Sequence, residues 1–324
     1  MAPTIQTITA ITYQAIAPRL ADNVKLGNAT LAFLMGQGRL EMESGGDYLQ
    51  EPIIWSLNST AGSYTGYDPL VTTPQEEVTA ATYNWKQYSV CASISGLEQM
   101  RNAGPSGVIK AWQTKVRIGA NSLKQLLDTH IHAISTTKGP NDILGLDEFI
   151  EDVSPPSGVV GGINRGVETW WRNKFASGAV ATLTNDINRL MSLCSEGSES
   201  PDFGILPYEA WDAIVNQNEG KQRFPTNDYM MKLGFDNIVY RGVTLMPNRN
   251  CIGNGVTAPS VATPWNIYLG NSKYLRLRVH VDRNFVPRAP AEPINQDAML
   301  SYILFGGALT LSDSRFQGVL QVTA

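Results

Sequence analysis

Cysteine is scarce. Cys91, Cys194 and Cys251 are odd in number and far apart, which excludes a disulfide framework and a zinc cluster and points to the cytosol. Histidine is as scarce: His130, His132 and His280 all lie outside any G-x-S-x-G nucleophile context, so no catalytic residue is assigned. Charge is thin as well. Charged residues make up 17% of the chain, against roughly 25% in ordinary soluble domains, so much of the surface is expected to be covered by other subunits. The balance is mildly acidic, a net charge of -4, which excludes a protein that grips nucleic acid by bulk electrostatics. Long apolar runs are missing too: no stretch reaches the about eighteen residues of a membrane span. The start, MAPTIQTITAITYQAIAPRL, lacks a basic segment followed by an apolar run, so a soluble, unexported protein with no membrane partner is expected.

What is present reads as a succession of distinct textures. At 324 residues the chain can bury a sizeable core. Residues 1–38 have scattered isoleucines interrupted by Pro3 and Pro18 and read as an extended arm that must lie on a neighbouring body. Residues 39–96 read as a long β-hairpin: YLQEPIIWSL and TYNWKQYSVCASIS alternate apolar and polar, and the tip between them is rich in Gly, Ser, Thr and Pro. Such an isolated ribbon is marginal in water and needs a surface to lean on. Ile109, Trp112, Val116, Gly119, Leu123 and Leu126 then recur at spacings of three and four, predicting a helix from about Val108 to Ser135, roughly 40 Å long. Residues 183–288 alternate helix and strand and predict a compact α/β module, ending in the strictly alternating YLRLRVHVD. AMLSYILFGGALTLS and FQGVLQV are terminal strands for which the long helix is the natural cover, making the segments on either side of the module one discontinuous domain.

Each chemically suggestive cluster has a plainer explanation. Gly158, Gly161, Gly162 and Gly166 match neither phosphate-binding motif, since no lysine follows and the spacing fails. Gly161 and Gly162 instead suggest a hinge, a flexible crossing between two structural parts. Trp170 and Trp171 are adjacent, so they point in different directions and cannot form one stacking platform; one suits the core and the other a subunit contact. His130 and His132 on a helix lie about 200° apart, with only Asp128 near, so no metal is assigned. Acidic LDEFIED lacks the spaced oxygen donors of a calcium loop. Arg276 and Arg278 share a strand face and suit a neighbour's carboxylates better than nucleic acid.

The blocks ILGLDEFI, GGINRGVETWWRN, SPDFGILPYEAWDAI, LGFDNIVYRGVTLM and PINQDAMLSYILFGGALTLSDSRFQGVLQ, in this order of elements, resemble the major capsid protein of tailed phages with the Hong Kong 97-type fold, an α+β architecture. The resemblance implies an N-terminal arm at 1–38, an extended loop at 39–96, a peripheral domain at 97–182 and 289–324 carrying a long spine helix, and an axial domain at 183–288. It also implies a non-enzymatic, cofactor-free subunit that assembles as pentamers and hexamers into an icosahedral shell around double-stranded DNA, touched weakly and without sequence preference. On that reading Trp55, Tyr83 and Trp85 of the loop are buried on the adjacent subunit. Assembly would take place in the host bacterial cytoplasm, and the product would be the virion. Any scaffold would be a separate protein or absent, because the chain begins so close to the arm, and any portal and decoration proteins would be separate chains. Some family members weld subunits through a loop lysine, but Ser56 to Glu77 contain none and Lys86 lies on the returning strand, so no weld is expected. The rivals are an encapsulin-like compartment and a soluble α/β ligand-binding protein or enzyme built on 183–288.

Overall fold

A computed structural model describes residues 28–101, 105–218, 228–232 and 236–323. Residues 1–27, most of the expected arm, lie outside this set. The end of that expected arm is not extended: Ala29–Gly36 form a helix capped by Asn28, whose side chain accepts from Leu31 N at 3.0 Å. Residues 29–34 are all buried, because this short helix is surrounded by the core on every side rather than lying on its surface.

The expected 39–96 hairpin divides between two sheets. Strand β1 (Leu40–Glu43) leads to β2 (Leu49–Ile54) and β3 (Val78–Tyr83), which pair antiparallel with Leu49 opposite Tyr83. Strand β4 (Lys86–Ser95), read from sequence as the hairpin's return, instead pairs along its length with a strand near the C-terminus. The long helix follows as Pro105–His132, three residues earlier at each end than the periodicity suggests. Its buried stripe, Trp112, Val116, Ala120, Leu123, Leu127 and Ile131, lies on the sheet, with Gly119 over Val90 and Ile303.

After the small antiparallel pair β5 (Val159–Val160) and β6 (Ile163–Asn164) come β7 (Lys174–Gly178), the helix Leu183–Leu193, β8 (Phe203–Leu206), the helix Tyr208–Asn218, β9 (Ile238–Tyr240), β10 (Val243–Pro247) and β11 (Trp265–Gly270). Three long or terminal strands finish the chain: β12 (Leu275–Pro287), β13 (Ala298–Leu311) and β14 (Gly318–Val322). They form two principal sheets, ordered β1-β12-β13-β4 and β7-β14-β11-β8-β10-β9. Strand β12, placed by sequence with the α/β module, therefore sits in the other sheet, and β14, placed with the closing strands, completes the module's sheet. Alternation signals a strand but does not name its partner. The alternation of β12 itself fails at Val281, which is exposed where the register with β13 shifts.

One apolar core joins the short N-terminal helix, the long helix, the four-stranded sheet and the hairpin root. A second lies between the six-stranded sheet and the helices Leu183–Leu193 and Tyr208–Asn218. Strands β10 and β11 are buried throughout because both faces of their sheet are covered.

Candidate functional site

The hairpin β2–β3 projects from the body, and its root is where charge and hydrogen bonds concentrate. Glu51 of β2 is buried, yet it accepts from Thr310 Oγ1 at 2.7 Å and meets Arg278 Nη2 at 2.9 Å, so its charge is compensated. Arg278 also pairs with Glu43 at 3.1 Å and Glu41 at 3.3 Å, while Arg276 pairs with Glu41 at 2.9 Å. The cause is register: β1 runs parallel to β12 with Glu41 opposite Arg278, which sets its glutamates beside the two arginines. The carboxylates expected from a neighbouring subunit thus come from the same chain. Tyr83, at the base of β3, is 2% exposed and donates its hydroxyl to the Leu311 carbonyl at 2.8 Å. Burial pushes that phenol above its ordinary range, the backbone hydrogen bond notwithstanding.

The glycine-rich stretch clamps this root. Gly161 (φ +61°) and Gly162 (φ +79°) form the two-residue turn between β5 and β6, a left-handed pair that only glycine adopts without strain. Gly161 O accepts from Thr82 N at 2.9 Å, and a Cβ on Gly161 would lie 2.6 Å from that of Ala81. The expected hinge is therefore a tight turn pressed against β3. Behind it, Trp171 is wholly buried and donates to Val160 O at 3.0 Å. Arg165, also wholly buried, donates to Phe149 O and to Asn173 Oδ1. Burial pulls its guanidinium down to about 10, against the opposing pull of Glu151 and Tyr83.

Tyr83, expected at a subunit contact, is consumed inside the chain, and Trp171 is the member of the tryptophan pair that enters the core. Trp55 and Trp170 meet each other instead, stacked with centroids 5.9 Å apart, although Trp55 stays 40% exposed. They border a groove of about 470 Å³ with Thr79, Gly162, Ile163 and Val167. Trp85 donates its indole N–H to Gly46 O at 2.9 Å and sets its ring edgewise to His280. Lys86 donates to Pro140 O, not towards the tip. Beyond Ile54 the tip has no regular structure and exposes Leu57, Tyr64, Tyr67, Leu70 and Val71. Among the described residues, none covers these apolar side chains.

The histidines separate as their spacing suggests. His130 Nδ1 lies 2.9 Å from Tyr88 Oη, and His132 Nε2 lies 2.8 Å from Thr30 Oγ1. Asp128, beside them, receives Asn248 Nδ2 at 3.1 Å and Asn250 Nδ2 at 2.5 Å. Among the described residues no three His, Cys, Asp or Glu side chains gather as metal ligands, and no helix is long and apolar enough to cross a membrane. Sequence reasoning missed Glu51, Arg165 and the partners of Asp128; a buried charge inside an apolar alternation, as Glu51 is within LQEPII, is the one signal that marks such a residue.

No family model and no curated protein matches the chain. Solved structures do. A chain of the cyanophage A-1(L) capsid asymmetric unit is 11% identical, with 91% of this chain and 92% of that chain covered and a TM-score of 0.64. A chain of the capsid of an empty GTA particle is 12% identical over 89% and 96% of the two chains, with a TM-score of 0.57. The holo-SrpI encapsulin complex from Synechococcus elongatus PCC 7942 follows at 12% identity, 87% and 84% coverage and a TM-score of 0.51. Arm-side helix, projecting hairpin, long helix on a four-stranded sheet and a helix-flanked second sheet make up the Hong Kong 97-type capsid fold.

Proposed function

We propose that this chain is the major capsid protein of a tailed phage, assembling as pentamers and hexamers into an icosahedral shell around double-stranded DNA. The observation that carries this reading is the hairpin tip: a long exposed ribbon with at least five uncovered apolar side chains, on a chain with a capsid fold. Exposed apolar surface of that kind marks a contact with another molecule. A subunit engaging several neighbours at once gains stability that no single interface has to supply. The hairpin would then be the extended loop, the long helix with the four-stranded sheet the peripheral domain, and the helix-flanked six-stranded sheet the axial domain. The role is structural, without catalysis or cofactor. Assembly would occur in the bacterial cytoplasm, any scaffolding, portal and decoration proteins being separate chains, and the product would be the virion.

The likeness to the encapsulin complex supports a second reading, a compartment whose content is protein. Size-exclusion chromatography with light scattering on the purified chain tests the shell itself: megadalton particles are expected, and a stable monomer overturns both readings. The ratio of nucleic acid to protein inside particles recovered from cells separates them. Nucleic-acid-filled particles support the capsid, and protein-filled ones the compartment.

A further inference from the structure

We propose that Asn254 is a self-modifying site: the Gly255 amide nitrogen closes on the Asn254 side chain with Glu209 as general base, releasing ammonia and leaving an aspartyl or isoaspartyl residue. Of the asparagines in the sequence, Asn254 is the one followed by glycine. Any other following residue would set a side chain against the five-membered ring that this closure forms. The pair sits in the loop between β10 and β11, in a tight turn whose bonds run from Asn254 N to Cys251 O at 3.1 Å and from Val256 N to Gly253 O at 3.2 Å. Gly255 takes φ +83°, and a Cβ there would meet nothing within 4 Å, so close packing is not what requires glycine at this position. The side-chain amide of Asn254 has no hydrogen-bond partner among the described residues that would hold it away from the backbone.

What distinguishes this turn is the acceptor of the Gly255 N–H. In a helix or sheet that amide would donate to a carbonyl, which takes no proton. Here it donates to Glu209 Oε1 at 2.7 Å, a carboxylate held in the first turn of the helix Tyr208–Asn218. A general base must lie within hydrogen-bond reach of the proton it removes, and Glu209 meets that condition. Its other oxygen, Oε2, is buried and receives no hydrogen bond among the described residues, so the Gly255 N–H is the one described donor to this carboxylate. Glu209 takes the N–H proton as the nitrogen electron pair forms a bond to Asn254 Cγ. The Cγ–Nδ2 bond then breaks, the proton passes from Glu209 to Nδ2, and ammonia leaves. Water opens the resulting succinimide at either carbonyl, giving aspartate or an isoaspartyl link that lengthens the backbone by a methylene. Either product adds one negative charge to the loop.

The site does not depend on the shell reading, and mass spectrometry reads it directly. Full-length protein is held at neutral pH and sampled over days, and intact mass with peptide mapping follows the loss of ammonia and the uptake of water at Asn254. The folded chain should convert at least about tenfold faster than the same chain unfolded in urea, since a positioned base contributes about a hundredfold or more. Glu209→Gln keeps an oxygen for the Gly255 N–H but cannot take the proton; it should slow conversion of the folded chain by about tenfold or more, with circular dichroism confirming the fold. Folded protein that converts no faster than unfolded protein overturns the inference, because the fold then gives the turn no catalytic advantage. A folded Glu209→Gln that converts as fast as the wild type overturns it as well. The comparison of folded with unfolded wild type needs no variant, so it decides the matter even where the substitution prevents folding.

Discussion

Asp128 shows how a residue's neighbours can reverse the effect of its burial. Enclosure alone would raise the pKa of its carboxyl, but hydrogen bonds from His132, Asn248 and Asn250, with the charge of His132, hold it below the ordinary range. A folded-state value below the unfolded one, about 3.9, means that its contribution to stability is complete above that pH and is lost as pH falls through the folded value. Urea unfolding between about pH 6 and 2 should therefore show wild-type stability falling below about pH 4, and Asp128→Asn should fall less over the same window while being about 1–3 kcal/mol weaker at neutral pH. An identical acid profile for the variant would remove Asp128 from the account. Asp202 works the other way: burial raises it in spite of its Ser272 hydrogen bonds, so acid relieves rather than removes stability there, and only the comparison with the variant isolates Asp128. The sequence places Asp128 beside the two histidines and no further, because Thr30, Asn248 and Asn250 lie about a hundred residues away along the chain and no local pattern joins them.

At the scale of elements, the glycine turn between β5 and β6 holds the hairpin at its base. Gly161→Ala would place a methyl 2.6 Å from Ala81 Cβ at φ +61°, and Gly162→Ala a methyl 3.2 Å from Thr82 Oγ1 at φ +79°. Left-handed backbone alone costs a non-glycine residue about 1–2 kcal/mol, so the second change should cost about that much and the first distinctly more. Denaturant midpoints followed by tryptophan fluorescence measure both. A neutral Gly161→Ala would mean that the turn is not pressed on β3. Here the sequence reading marked the right glycines and assigned them the wrong mechanics: paired glycines signal freedom from side-chain sterics, which serves a hinge and a tight turn equally, and only the closeness of β3 decides between them. The strands repeat the lesson. Alternation located β4, β12 and β14 as strands, but β4 left the hairpin, β12 left the module and β14 entered it, because a strand's partner depends on the long-range path of the chain.

For the whole molecule, the order of elements was legible because each has a strong local signature, above all the long helix, whose stripe shows directly in the spacing of Trp112, Val116 and Leu123. The contact residues were less so. Trp55, Trp85 and Trp170 remain partly exposed, whereas Tyr83 and Trp171 are interior and Arg276 and Arg278 are paired at home. An aromatic or arginine suits a core, a groove and a neighbour alike, and exposure alone separates these uses. Among the described residues the apolar side chains of the hairpin tip are uncovered, and this makes the tip's role separable from stability. Its side-chain hydrogen bonds are local, such as Ser59 Oγ to Gln75 Oε1 at 2.8 Å and Thr65 N to Asp68 Oδ2 at 2.9 Å, and its apolar residues touch none of the core. Deleting Ser59 to Pro74 and closing the ribbon with a short turn should change unfolding free energy by roughly 1 kcal/mol or less, the scale of a loop-length change, while particle yield falls steeply. Calorimetry and light scattering on one preparation give both numbers. Normal particles from the shortened chain would show that the tip's apolar surface is not what joins the subunits, and a large loss of unfolding free energy would show that the tip packs on its own body instead.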